Sequence, residues 1–166
     1  RGKTVFKNGD VYEGEYVKGK REGYGVYVFP DGEKYEGQWY QDQQHGKGIY
    51  YFMNNNRYDG MWYQDYQHGK GAMYYYTGDV YEGDWVNDKR EGQGTYTWKN
   101  GSKYTGSWKN DKKDGEGTFV WNDGSKYEGQ WKNDVRQGTG TFEYTNGDKY
   151  VGDWSEDMQD GKGIYF

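Results

Sequence analysis

The chain has 166 residues, a formal charge of -5, no Cys and a hydrophobic share of 31%, with a mean hydropathy of -1.44. These values exclude a disulfide framework and thiolate metal sites, and no apolar run approaches the roughly 20 residues that a membrane span needs. Charge and hydropathy alone would describe a disordered chain, but 21 Tyr, 8 Trp and 6 Phe supply large buriable rings, so the sequence predicts a folded protein with an aromatic core.

A Tyr-x-Gly pair opens at Tyr12, Tyr35, Tyr58, Tyr81, Tyr104, Tyr127 and Tyr150, a constant step of 23 residues that marks a repeat array. One array spans residues 1–166, with a partial repeat over 1–11 and a last repeat cut at 166. Gly2 and Phe6 hold the phases of Gly25 and Phe29, so the chain opens in mid-repeat. It stops in mid-repeat too, which predicts a piece of a longer chain.

Within the repeat at Tyr81, the residues Tyr81, Gly83 and Trp85 alternate with Glu82, Asp84 and Val86, the period-two signature of a strand with unlike faces. Gly92, Gly94, Tyr96 and Trp98 alternate with Gln93, Thr95 and Thr97 in the same way. Residues 87–91 read as the loop between these halves. The turns between repeats fall at Asn8-Gly9, Asp31-Gly32, Asn54-Asn55, Thr77-Gly78, Asn100-Gly101, Asp123-Gly124 and Asn146-Gly147, pairs that favour a hairpin's positive φ. Each repeat is therefore a β-hairpin, and the predicted fold is all-β: an elongated, single-layer, twisted antiparallel sheet of stacked hairpins. Rings at the Tyr96 and Trp98 phases are expected to lie over a glycine column from Gly14 to Gly152, flanked by the tryptophans at the Trp85 phase. Such a unit cannot bury its rings alone, so stability must come from its neighbours.

Tyr-Glu-Gly-x-Trp followed by Gly-x-Gly-x-aromatic and an Asn/Asp-Gly turn resembles the MORN repeat family over nearly the whole chain. The resemblance implies a ribbon of β-hairpins that acts as a scaffold, often dimeric and often in cilia or other cytoskeletal structures. Other members place the array beside a lipid kinase, a methyltransferase or a membrane anchor. The run from His45 to Asn55, then Tyr58-x-Gly60-x-Trp62 and His68-Gly69-Lys70-Gly71, is similar to the MORN-type radial spoke head proteins of motile cilia. That likeness implies a cytoplasmic protein on the cytoskeleton, at the axoneme.

No catalytic, cofactor or metal site is predicted. The Gly-x-Gly pairs lead into no helix, His45 and His68 stand about 10 Å apart on one column with no third ligand, and lysines occupy ligand positions in the calcium-like run 111–115. The acids Glu13, Glu15, Glu82 and Asp84 read as partners for cross-strand cations rather than as a catalytic dyad. The aromatic column reads as consumed by packing, which argues against a cage for quaternary ammonium groups.

Two surfaces remain. Lys18, Lys20, Arg21, Lys89, Arg90, Lys112 and Lys113 form basic loops suited to anionic lipid headgroups, although acids share those loops and no uninterrupted basic stripe suits nucleic acid. On the face opposite the aromatic column, Val26, Val28, Tyr40, Ile49, Tyr51, Tyr63 and Tyr74 make the first repeats apolar where later ones carry Thr and Lys. Such a patch marks a partner surface. The expected function is a non-enzymatic scaffold for protein partners, cytoskeletal or ciliary, acting through this N-terminal face and forming a homodimer in keeping with the family. The alternatives are a lipid-recruitment module and the regulatory array of a larger enzyme.

Overall fold

The structure, a computed structural model, describes residues 1–166. Its strands are β1 (Gly2–Val5), β2 (Val11–Val17), β3 (Lys20–Val28), β4 (Lys34–Tyr40), β5 (Gln43–Tyr51), β6 (Arg57–Tyr63), β7 (Tyr66–Tyr74) and β8 (Val80–Val86). They continue as β9 (Lys89–Thr97), β10 (Lys103–Lys109), β11 (Lys112–Val120), β12 (Lys126–Lys132), β13 (Val135–Glu143), β14 (Lys149–Ser155) and β15 (Met158–Tyr165). All lie in one open antiparallel sheet in chain order, the predicted single layer of hairpins. Two compact units divide it: Arg1–Gly78 with Trp85–Asp88, and Asp79–Asp84 with Lys89–Phe166.

The turn inside each hairpin is shorter than the sequence suggests. Only Asn87 and Asp88 form it, both left-handed at φ 47 and 70, so residues 89–91 belong to β9. Two successive positive-φ residues match the twist of flanking strands, the geometry of a type I′ turn. Gly19, off the glycine phases of the other repeats, has φ 81 where Asp42 and Asp65 have 69 and 71, so it obeys the same backbone rule.

Six of the hairpins carry the same bulge. Gly37 faces Gly48 and Trp39 faces Gln44, so a single residue of β4 stands against three of β5, with Gly46 at φ 87. The amide after the bulge glycine is held by a side chain across the hairpin: Gln93 donates to Asp84 Oδ2 at 2.9 Å and Thr139 to Gln130 Oε1 at 2.9 Å. The acids at this phase thus accept backbone hydrogen bonds.

The ring cover differs from the expected one in both partners: it comes from the repeat-opening tyrosine and lies on the glycines that face the Gly14 to Gly152 column. The repeat-opening tyrosine leans forward over the facing strand, so the ring of Tyr35 lies against Gly48 and that of Tyr104 against Gly117, while their hydroxyls reach Gly37 and Gly106 of the expected column. Alternation sets the face a ring occupies but not the direction in which it leans, so it does not show that the tyrosine rather than the Tyr96 and Trp98 phases is the cover. Tyr12, Tyr35, Tyr58, Tyr81, Tyr104 and Tyr127 are fully buried, and each hydroxyl donates to the carbonyl three residues on, as Tyr35 does to Gln38 O at 2.7 Å. The tryptophans flank them as expected. Trp62 meets Tyr35 and Tyr58 edge-on at 5.3 and 5.2 Å, tying one repeat to the next.

Burial of these phenols sets a pH limit. Desolvation pushes Tyr12 and Tyr127 up to about 12 from an ordinary value of about 10. The unfolded chain loses those protons first, so this contribution to stability is complete below pH ~10 and is lost as pH rises from about 10 to 12. A titration following phenolate absorbance and far-UV circular dichroism together should show the buried tyrosines ionising as the sheet melts. Ionisation of all 21 tyrosines near pH ~10 with the sheet intact would contradict it.

Candidate functional site

In the first unit the aromatic face is open. A groove of about 670 Å³ runs across β3 to β8, floored by Trp39, Trp62 and Trp85 and walled by Tyr27, Phe29, Tyr50, Phe52, Met73 and Tyr75. Phe29, Tyr50, Phe52 and Tyr75 are half-buried, so each keeps part of its ring towards solvent. They touch one another in file: Phe29 to Tyr50 at 6.0 Å and Tyr50 to Phe52 at 4.6 Å. Glu33 steadies the file, accepting from the Tyr50 hydroxyl at 2.7 Å and from the Met53 amide at 3.0 Å. The column is only partly consumed by packing, contrary to the sequence reading, because the repeat-opening tyrosines cover the facing glycines and leave these rings partly open.

A polar row runs beside the tryptophans: Arg21, Asp42, Gln44, Asp65, Gln67 and Asp88. The Arg21 guanidinium lies 4.7 Å from the Trp39 ring centre and its Nε meets Asp42 Oδ1 at 3.2 Å, while its backbone amide donates to the same oxygen at 2.8 Å. That amide, and then the guanidinium, hold the Asp42 carboxyl below the usual carboxylate range. The second unit repeats the pattern at Arg90 with Asp111, 3.3 Å, and at Arg136 with Asp157, 3.2 Å. Lys113 pairs with Asp134 at 3.5 Å, yet burial among the rings pushes its ammonium pKa down.

This placement corrects three of the seven basic-loop residues. Arg21, Arg90 and Lys113 turn onto the aromatic face and pair with aspartates, because the two-residue turn starts the strand one position before them. Lys18, Lys20, Lys89 and Lys112 are exposed. The signal was present in the parity: residue 90 shares it with Gly94 and Tyr96.

The residues expected to form an apolar partner face lie together on the opposite side, but charges interleave them. Val26 and Ile49 both face Glu36, and Ile49 also faces Asp59. Lys34 lies 4.7 Å over Tyr51, beside the neighbouring Val28, and Arg57 lies 4.4 Å over Tyr74. Tyr40 and Tyr63 are the open members, 50% and 48% exposed. His45 fills the space between them at 5.6 and 5.1 Å, and His68 sits 5.6 Å beyond Tyr63. The Nδ1 atoms of both histidines are buried without a hydrogen-bond partner.

Comparison with known proteins adds the lineage. No curated protein matches the chain. Among solved structures it is similar to the wild-type TCP10 domain of Danio rerio CPAP, at 16% identity and a TM-score of 0.55, over 90% of this chain and 72% of that one. It also matches the Drosophila melanogaster SAS-4 (dCPAP) TCP domain, solved in complex with a proline-rich motif of Ana2, at 16% identity and a TM-score of 0.46, over 92% and 93% of the two chains. The first is a likeness of fold. The sequence model of the MORN repeat matches residues 12–34, 35–57, 58–80, 81–103, 104–126, 127–149 and 150–166. Seven tandem matches make the chain a member of the MORN repeat family.

Proposed function

We propose that this chain is a non-enzymatic scaffold whose first unit holds an extended segment of a partner protein, within a ciliary, axonemal or other cytoskeletal assembly. The observation that carries the reading is the aromatic groove, a file of half-buried rings above buried tryptophans. Concave aromatic surfaces of this kind give an extended chain large contact area at low cost in side-chain entropy. The cytoskeletal setting follows the resemblance to spoke head arrays of motile cilia. A second reading places the partner on the opposite face, because the large rings of Tyr40 and Tyr63 stand half in water there.

Affinity capture with cross-linking distinguishes the two surfaces, after circular dichroism has shown each variant to be folded. Phe29→Ser with Phe52→Ser is expected to weaken capture of specific partners by roughly tenfold or more, as loss of central aromatic anchors does. Tyr40→Ser with Tyr63→Ser should leave capture unchanged. The reverse pattern would move the partner to the opposite face, and capture that neither pair alters would sink the scaffold reading.

A further inference from the structure

The polar row repeats one device and leaves part of it out. At Arg21, Arg90 and Arg136 the guanidinium lies 4.7, 4.8 and 4.8 Å over a buried tryptophan and pairs with an aspartate 21 residues on. At Gln44 and Gln67 only the backbone half persists: their amides donate to Asp65 Oδ1 at 2.7 Å and to Asp88 Oδ1 at 2.8 Å. The cation is missing at both, and neither Asp65 nor Asp88 has an ion pair. Two further observations mark these positions as seats for a ligand. Gln44 and Gln67 are 7% and 5% exposed, line the groove, and their side-chain carboxamides make no hydrogen bond within the protein. The groove lining also sets one cation, Arg21, against three carboxylates, Asp42, Asp65 and Asp88, a formal charge of 1 - 3 = -2.

Resting on the groove reading above, we propose that the partner segment is a polyproline II stretch carrying two arginines, or lysines, three positions apart, which supply the cations absent at Gln44 and Gln67. Arginine fits better, since a planar guanidinium can stack on Trp62 while its edge meets Asp65 and the free Gln44 carboxamide, as Arg21 does internally with Trp39 and Asp42. The spacing follows from the sheet. The two seats are two strands apart, about 9.6 Å at roughly 4.8 Å per strand. A polyproline II helix advances about 9.3 Å in three residues and returns its side chains to the same face after one turn. A β-extended segment covers a similar length but turns residues i and i+3 to opposite sides. Its prolines and backbone would lie against the file from Phe29 to Tyr75.

The test pans a phage-displayed library of random 12-residue peptides over the whole chain, and over a variant carrying Gln44→Arg and Gln67→Arg. That variant fills both seats from within and copies the arrangement at Arg90 and Arg136, so its thermal midpoint should equal or exceed that of the parent. Peptides enriched on the parent should carry Arg or Lys pairs at i and i+3 in a proline-containing context. A fluorescein-labelled enriched peptide should bind the double-arginine variant, and separately Asp65→Asn with Asp88→Asn, roughly tenfold or more weaker by anisotropy, with affinity falling as salt rises. Enriched peptides without basic pairs, or equal binding to the double-arginine variant, overturn the inference while peptide binding in the groove stands. Enrichment of no peptide, or binding lost only in Tyr40→Ser with Tyr63→Ser, overturns the groove reading and the inference together.

Discussion

Gly48→Ala is expected to destabilise the first unit by about 3 kcal/mol, near the upper end of the cost of forcing extra volume into a packed site. An added Cβ would fall far inside contact distance of the Oη and Cζ atoms of Tyr35. That ring has nowhere to go. Tyr35 is fully buried, its hydroxyl is held by Gln38 O at 2.7 Å, and Trp39 and Trp62 press edge-on at 5.2 and 5.3 Å. Gly32→Ala is the matched control: its φ of 99 strains an alanine, but nothing lies within 4 Å of the new methyl. Its cost should stay near ~1 kcal/mol. Urea unfolding followed by tryptophan fluorescence reads both, and equal midpoints for the two variants would show that the ring does not impose the glycine.

Trp62→Ala should cost more, about 4 kcal/mol. Trp62 is 5% exposed, and its indole N–H donates to Gly48 O at 3.0 Å. Its ring edge is shared between Tyr35 of one repeat and Tyr58 of the next. In an array stabilised through nearest neighbours, deleting a shared ring weakens the junction as well as the repeat. Unfolding should therefore broaden, with a smaller denaturant dependence and faster amide exchange in β5 and β6 than elsewhere in the first unit. Trp62→Phe keeps most of the contact but leaves the Gly48 carbonyl without its donor, so its cost should be nearer ~1–2 kcal/mol. A sharp, parent-like transition in Trp62→Ala would mean that the tryptophan does not couple the repeats.

The main features of the fold were legible because a 23-residue period fixes many positions at once. Alternation gave strands, turn pairs gave hairpins, and repetition gave their order along one sheet. The boundary at residues 87–91 is not legible in the sequence, because Asn87 and Asp88 are non-glycine residues that accept positive φ, so a tight turn resembles a longer polar loop. With residues 89–91 read as loop, Arg90 and its equivalents are edge charges, whereas the two-residue turn places them in the strand and against aspartates on the aromatic face.

The sequence by itself determined the repeat, the hairpin, the single sheet and the need for glycine on fixed phases, since each depends on neighbours a few residues away or on periodicity. Tertiary structure decided which ring covers the glycines, which face stays open and which carboxylates lack a cation. Those outcomes depend on side-chain direction and on pairs 14 to 21 residues apart, such as Trp62 with Gly48 and Asp65 with Gln44. Across a sheet such partners are set by register and bulge, because the two-residue turn and the three-against-one bulge together place residue 44 opposite Trp39 and residue 67 opposite Trp62, on the groove side. Parity passes through that bulge, since both strands advance by an even number of residues, but which carboxylate meets which amide across the strands does not follow from parity.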